Sequence, residues 1–161
     1  MKINNFKKLT SQLYTIITNL KTTISLPTTK WENDLAFSPN PDYWEQICKN
    51  TFSMTANTNL QLIQYKVIHR SHITQSKMFK MGLTNTGICS QCTSGSTDDY
   101  LHAMWLCQPV SSFWITVTQA LSTILNYRIP SSPTLCLLSD ISIVQIPQKL
   151  KNPLLISLAV A

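Results

Sequence analysis

The sequence predicts an all-α protein: a small helical domain with a cysteine–histidine knuckle loop set between its helices. Three observations predict it. Apolar residues recur at spacings of three and four along most of the chain, the period of a helix with one buried face. No segment alternates apolar and polar residues as a half-buried strand does. Only 3 of the 161 residues are Gly, so the Gly-rich turns of sheets and phosphate-cradling loops are scarce, while 43% hydrophobic residues suffice for one core.

Each element has its own signal. Phe6, Leu9, Leu13, Ile16, Leu20 and Ile24 keep the helical period, although the many Thr residues there lower intrinsic helix propensity. The string SLPTTK breaks that run, and Thr28 or Thr29 can cap a short helix carrying Trp31 and Leu35. In SPNPDYWEQICKN, Asn40 can cap and Pro41 fits a first turn. Asp42 and Glu45 suit the positive end of that helix, and Tyr43, Trp44, Ile47 and Cys48 supply an apolar face. Between Ala56 and His69, the residues Leu60, Ile63 and Val67 fall on one side of a helix, with Lys66 and Arg70 one turn apart on another. QSKMFKMG reads as a helix stopped by Gly82. Asp98 or Asp99 can cap a helix holding His102 and Cys107. Pro109 then permits a new start, and Phe113, Trp114, Val117, Leu121, Ile124 and Leu125 carry the period to Asn126. A short element over Leu135–Leu138 and a last helix from Gln148 complete the chain. The organisation expected is an N-terminal helical extension over 1–30, a principal domain over 31–126, and a C-terminal extension over 127–161.

Several classes are set aside. Lys2, Lys7 and Lys8 are not followed by the continuous apolar stretch of a secretory signal. The terminal LLISLAVA is too short to cross a bilayer, and it reads as a truncated segment. The expectation is a reduced intracellular setting, nucleus or cytoplasm, with no membrane partner. There is no Gly-x-Ser-x-Gly elbow, no phosphate-binding loop and no paired acidic motif of a polymerase, so neither enzymatic activity nor a small-molecule substrate is expected.

Charge is unevenly spread. The net charge is +6, and no acidic residue lies between Glu45 and Asp98. That stretch carries Lys49, Lys66, Arg70, Lys77 and Lys80, with His69 and His72 among them. A phosphate backbone is attracted by such an imbalance; a solvated helix face is the plainer reading.

The most specific pattern is CSQCTSGSTDDYLHAMWLC, in which Cys89, Cys92, His102 and Cys107 follow the spacing C-x2-C-x9-H-x4-C. Three thiols and an imidazole can close a tetrahedron around Zn²⁺, and a full donor set leaves no position for a reactive water. The expected role of the metal is therefore structural. A redox pair at Cys89 and Cys92 lacks a thioredoxin-like βαβ context. The remaining rival is a core histidine and core thiols with no metal. Cys48 and Cys136 fall outside the pattern and are expected as buried apolar residues. Asp98 and Asp99 read as a helix cap, and the four Trp residues as core.

The flanks of this pattern carry a resemblance. LQLIQYKVIHRSHITQSKMFKMGLTNTGICSQC, followed by LHAMWLCQPVSSFW and then IPSSPTLCLLSD, resembles the zinc-binding region of LINE-type (L1-like) retrotransposon reverse transcriptases, C-terminal to the polymerase core. The resemblance covers Trp31 to Ala161. It implies that Cys89, Cys92, His102 and Cys107 are the zinc ligands and that Lys66, His69 and Arg70, with Lys77 and Lys80 beyond them, face RNA or DNA during target-primed reverse transcription. It also implies the reverse transcriptase core as a partner. His72 stands where an aromatic is frequent and Gln75 where Pro is frequent, which puts the helix junction in doubt and leaves the ligand set intact. The alternative is a structural or protein-interaction zinc module, or a non-functional remnant, that binds no nucleic acid.

Overall fold

A buried tryptophan sets the centre of the molecule. The computed structural model describes residues 27–161; the helix expected over Phe6–Ile24 lies outside the described residues. Pro27 opens α1 (Pro27–Asp34), where its fixed φ and missing N–H suit a first turn. The helix delivers Trp31 at 0% exposure into the core. One turn of chain precedes α2 (Tyr43–Ser53): the Tyr43 N–H donates to the Asn40 carbonyl, and the residue ahead of the helix, Asp42, makes no side-chain cap. Asn40 is therefore not the capping side chain its position suggests.

The next two helices begin as their sequences dictate. The Asn57 side chain accepts from the Asn59 N–H at the head of α3 (Thr58–Ile68), and Thr74 Oγ1 accepts from the Lys77 N–H at the head of α4 (Gln75–Lys80). Gly82, at φ +71°, ends α4 through the paired bonds Gly82 N–H to Phe79 O and Leu83 N–H to Met78 O. A π-helical turn over His102–Leu106 runs into α5 (Gln108–Leu125), which has Pro109 in its first turn and stops at Asn126, φ +56°. Then follow α6 (Pro133–Leu138), a 3₁₀ turn over Ile141–Ile143, and α7 (Gln148–Val160). Among the described residues the architecture is all-α, and one isolated antiparallel bridge joins Ile88 to Thr97.

Helix α3 packs on α2, α6 and α7, while α5 packs on α7 and on the π turn. The core joins Trp31 and Ile47 to Leu135, Leu137, Leu138 and Leu154, so the 127–161 segment shares one core with the domain before it. Helix ends leave carbonyls without partners, and here buried side chains supply them. Gln64 and Asn50 donate to the Leu137 and Ser139 carbonyls at the end of α6, at 2.8 and 3.1 Å. The Trp31 indole and the Tyr100 hydroxyl donate to the Ile68 and Val67 carbonyls at the end of α3, at 2.9 and 3.1 Å.

These caps explain where the apolar pattern misleads. The buried face of α3 is Gln64, Val67 and Ile68. Ile63 is 45% exposed, because the face that reaches α6 must present the Gln64 amide. On α2 the buried residues are Ile47, Asn50 and Thr51, and Cys48 is exposed, contrary to its expected burial. Cys136 is buried as expected. On α5, Ile124 keeps the helical period yet is 76% exposed.

Candidate metal centre

The segment Gly87–Asp98 is a narrow loop closed by two backbone bonds, Cys89 N–H to Ser96 O at 2.9 Å and Asp98 N–H to Gly87 O at 2.8 Å. Gly87 lies against α4 so closely that a Cβ there would stand 3.2 Å from the Ser76 Cα. At the tip, the Gln91 N–H points at the Cys89 sulfur, 3.4 Å away, the turn expected of a C-x2-C knuckle that aims both sulfurs at one point. The two aspartates divide their labour. Asp98 accepts from the Gln75 N–H and fastens the loop to the start of α4. Asp99 accepts from the His102 N–H at 2.8 Å and caps the turn that carries the second pair of donors.

His102 and Cys107 are five residues apart, too far for one α-helical turn and too near for two. The chain resolves this with the π turn. The Cys107 N–H donates to the His102 carbonyl at 2.9 Å, an i→i+5 closure that sets the two side chains on one side. Cys107 then leaves helical geometry (φ −58°, ψ 129°) before α5 begins. The Trp114 indole, donating to the Met104 carbonyl at 3.0 Å, holds the wide turn on α5.

The result is a closed donor set. One ligand atom from each of Cys89, Cys92, His102 and Cys107 lies within 4.8 Å of all the others. The Cys89 and Cys107 sulfurs are 3.7 Å apart, and Cys92 Sγ is 3.4 Å from His102 Nε2. A disulfide requires about 2.0 Å. A metal–sulfur bond of about 2.3 Å in a tetrahedron gives an edge near 3.8 Å. The donors thus stand at coordination spacing, and Cys89, His102 and Cys107 are buried. With four protein donors and no vacancy in the set, an ion here would hold chain segments together and would not activate water.

The thiols are unequally prepared. The Ser94 hydroxyl and backbone, with smaller help from Cys89 and His102, pull Cys92 down to about 6. Burial, and then the neighbouring cysteines, push Cys107 up to about 11. A metal ion must displace the Cys107 proton at neutral pH, whereas Cys92 is already a thiolate.

The cationic residues separate into two groups. Lys66 and His69 are exposed on α3, with the His69 ring stacked on Tyr65 at 3.9 Å, and Lys77 and Lys80 are exposed on α4. Among the described residues none of these lysines makes an ion pair. Lys49 is paired with Glu45. Arg70 departs from the surface role that the resemblance implies. Its guanidinium lies 4.9 Å from the Trp31 ring centre and 4.8 Å from that of Tyr100, with Asp34 as its ion partner, and its side chain is only 12% exposed. The backbone explains the inward turn. Arg70 sits at φ +53° just past α3, where Arg70 N–H to Val67 O and Ser71 N–H to Lys66 O close the chain back on the helix. Burial raises the Tyr100 hydroxyl to about 12, against the opposing pull of Arg70, so it stays protonated and donates. Trp31, Asp34 and Tyr100 were invisible as partners in the sequence, since 30 residues or more separate each neighbour in this stack.

Together these features define a helical protein with a Cys₃His cluster that could hold a metal ion. No protein-family model matches the chain, and no curated protein matches it.

Proposed function

We propose that the chain is a zinc-binding accessory module that holds RNA or DNA, of the kind found behind the polymerase core of LINE-type reverse transcriptases. The observation that carries this reading is the meeting of Cys89, Cys92, His102 and Cys107 within 4.8 Å. Three thiolates and an imidazole in a closed tetrahedron are the donor chemistry of structural Zn²⁺. The metal's contribution is to fix the knuckle and the π turn; the chain's own cations do the binding. Lys66 on α3, His69 just past its end, and Lys77 and Lys80 on α4 project outward from a stretch without acidic residues. Contacts of this kind attract phosphate without reading sequence. The resemblance of its motifs to those of the retroelement enzymes supports the placement of such a module beside a polymerase core.

A test joins metal and binding. Elemental analysis of the purified protein is expected to return about one zinc per chain, and none for Cys89→Ser. Mobility shifts at rising salt are expected to show affinity falling steeply. Binding without a salt slope, unchanged in Lys66→Ala/Lys77→Ala, would sink the nucleic-acid role. A second reading rests on the apolar outer face of α3, where Leu62 and Ile63 are 49% and 45% exposed. A protein surface docked there would make the module a structural adaptor, and the same salt series separates the two.

A further inference from the structure

A cleft of about 400 Å³ opens between α4 and the knuckle loop. Its size falls within the range of small-ligand sites, roughly 300–1,000 Å³. Phe79, 50% exposed, and Ile88, 49% exposed, give it an apolar wall. Asn85 and Thr97 bring a carboxamide and a hydroxyl, and Lys80 brings a free ammonium group. Among the described residues no carboxylate lines it; the nearest in sequence, Asp98, is engaged with the Gln75 N–H. The wall is held open by design of the backbone. Gly87 lets the loop lie so close to α4 that a Cβ there would stand 3.2 Å from Ser76 Cα and 3.4 Å from Phe79 Cβ, while half of the Phe79 surface stays free.

We infer that this cleft seats one unpaired nucleotide of a single-stranded nucleic acid, with the base against Phe79 and its phosphate at Lys80. The inference rests on the nucleic-acid reading above and narrows it to strand form and place. An aromatic surface, donors and acceptors for a base edge, and a cation for the backbone are the parts of a single-strand site. A paired base cannot enter, because its faces are covered by its neighbours in the stack. Lys77 lies one helical turn before Lys80, and Lys66 lies on the preceding helix.

Fluorescence anisotropy with the zinc-loaded full chain tests this, using labelled oligo-uridine, oligo-thymidine and a mixed-sequence DNA duplex. Wild type is expected to prefer both single strands to the duplex; the uridine and thymidine arms show whether the site distinguishes RNA from DNA. Phe79→Ala is expected to weaken single-strand binding about tenfold, within the range for loss of one stacked base, with the duplex affinity and salt slope unchanged. Phe79→Tyr is expected to restore it. Should Phe79→Ala not fold by circular dichroism, Asn85→Trp, on an exposed loop position, fills the cleft and is expected to give the same selective loss. Equal losses on single strands and duplex, or no loss from either folded variant, overturn the cleft while leaving nucleic-acid binding standing. Failure of wild type to bind any of the three probes overturns both.

Discussion

The knuckle segment and the helical body are held together by different physics. In the body, Trp31, Leu135, Leu138 and Leu154 are fully buried, and two buried amides close the end of α6. Between Gly87 and Leu106 the buried side chains are Cys89, Tyr100 and His102, and the flanking apolar residues Leu83, Ile88 and Leu106 are 69%, 49% and 59% exposed. A body with an apolar centre gains stability by removing carbon from water. A loop without one would gain it, on the zinc reading proposed above, by coordination, whose free energy enters folding directly. The two regions should therefore respond to different perturbations, and their junction, the Trp31–Arg70–Tyr100 stack, to both.

The largest effect is expected from removing the metal. Zinc binding in comparable small sites is worth on the order of 10–16 kcal/mol. Chelation, or Cys107→Ser, is expected to abolish hydrogen-exchange protection over residues 87–107 while α2, α3 and α6 stay protected. Collapse of protection across the whole chain would mean that the body does not stand on its own core. The converse change is Leu135→Ala, at 0% exposure. It is expected to cost about 2–5 kcal/mol of unfolding free energy in denaturant titrations, with zinc content unchanged.

Smaller effects sharpen the junction. Arg70→Ala is expected to destabilise both regions by about 1–3 kcal/mol, through loss of the cation between two rings and of the Asp34 pair. Arg70→Gly is expected to cost about 1 kcal/mol less than Arg70→Ala, since glycine occupies φ +53° without strain. Neither is expected to alter the salt dependence of nucleic-acid binding, whereas Lys66→Ala should reduce that slope by about 0.7–0.9. An equal slope change for Arg70 and Lys66 would return Arg70 to the surface.

The last effect is on pH. Each thiol proton displaced by zinc makes apparent affinity rise about tenfold per pH unit. Cys107, raised to about 11, contributes that rise throughout the neutral range; Cys92, lowered to about 6, contributes only below it. Competition titrations with a chelator from pH 6.5 to 8.5 are expected to show affinity still climbing with pH. Cys92→Ser should lower it at every pH without flattening the climb.

Local signals were legible in the sequence where the chemistry is local. Gly82, Pro109 and Asn126 mark helix ends because a first-turn proline or a left-handed residue acts within one turn. The four donors were legible because spacing alone limits what a C-x2-C pair and a distant His and Cys can do. Pairings across the fold were not. Ile63 obeys the helical period and faces outward, since the choice of buried face was made by Gln64 and a carbonyl 73 residues away. Arg70 reads as one more cation in a basic run, and only the left-handed turn after α3 directs it between two rings.

The π turn makes one stretch of this chain a fixed-length gauge. Between His102 and Cys107 the step of five residues is itself the ligand spacing. Inserting a residue after Ala103 would lengthen the step to six and, on an ordinary helix, turn Cys107 about 120° away from the side of His102. An insertion at Gly95, in the exposed loop between Cys92 and Asp98, leaves all four donors where they are. The module should therefore tolerate gain of residues on one side of its histidine and reject gain of a single one on the other.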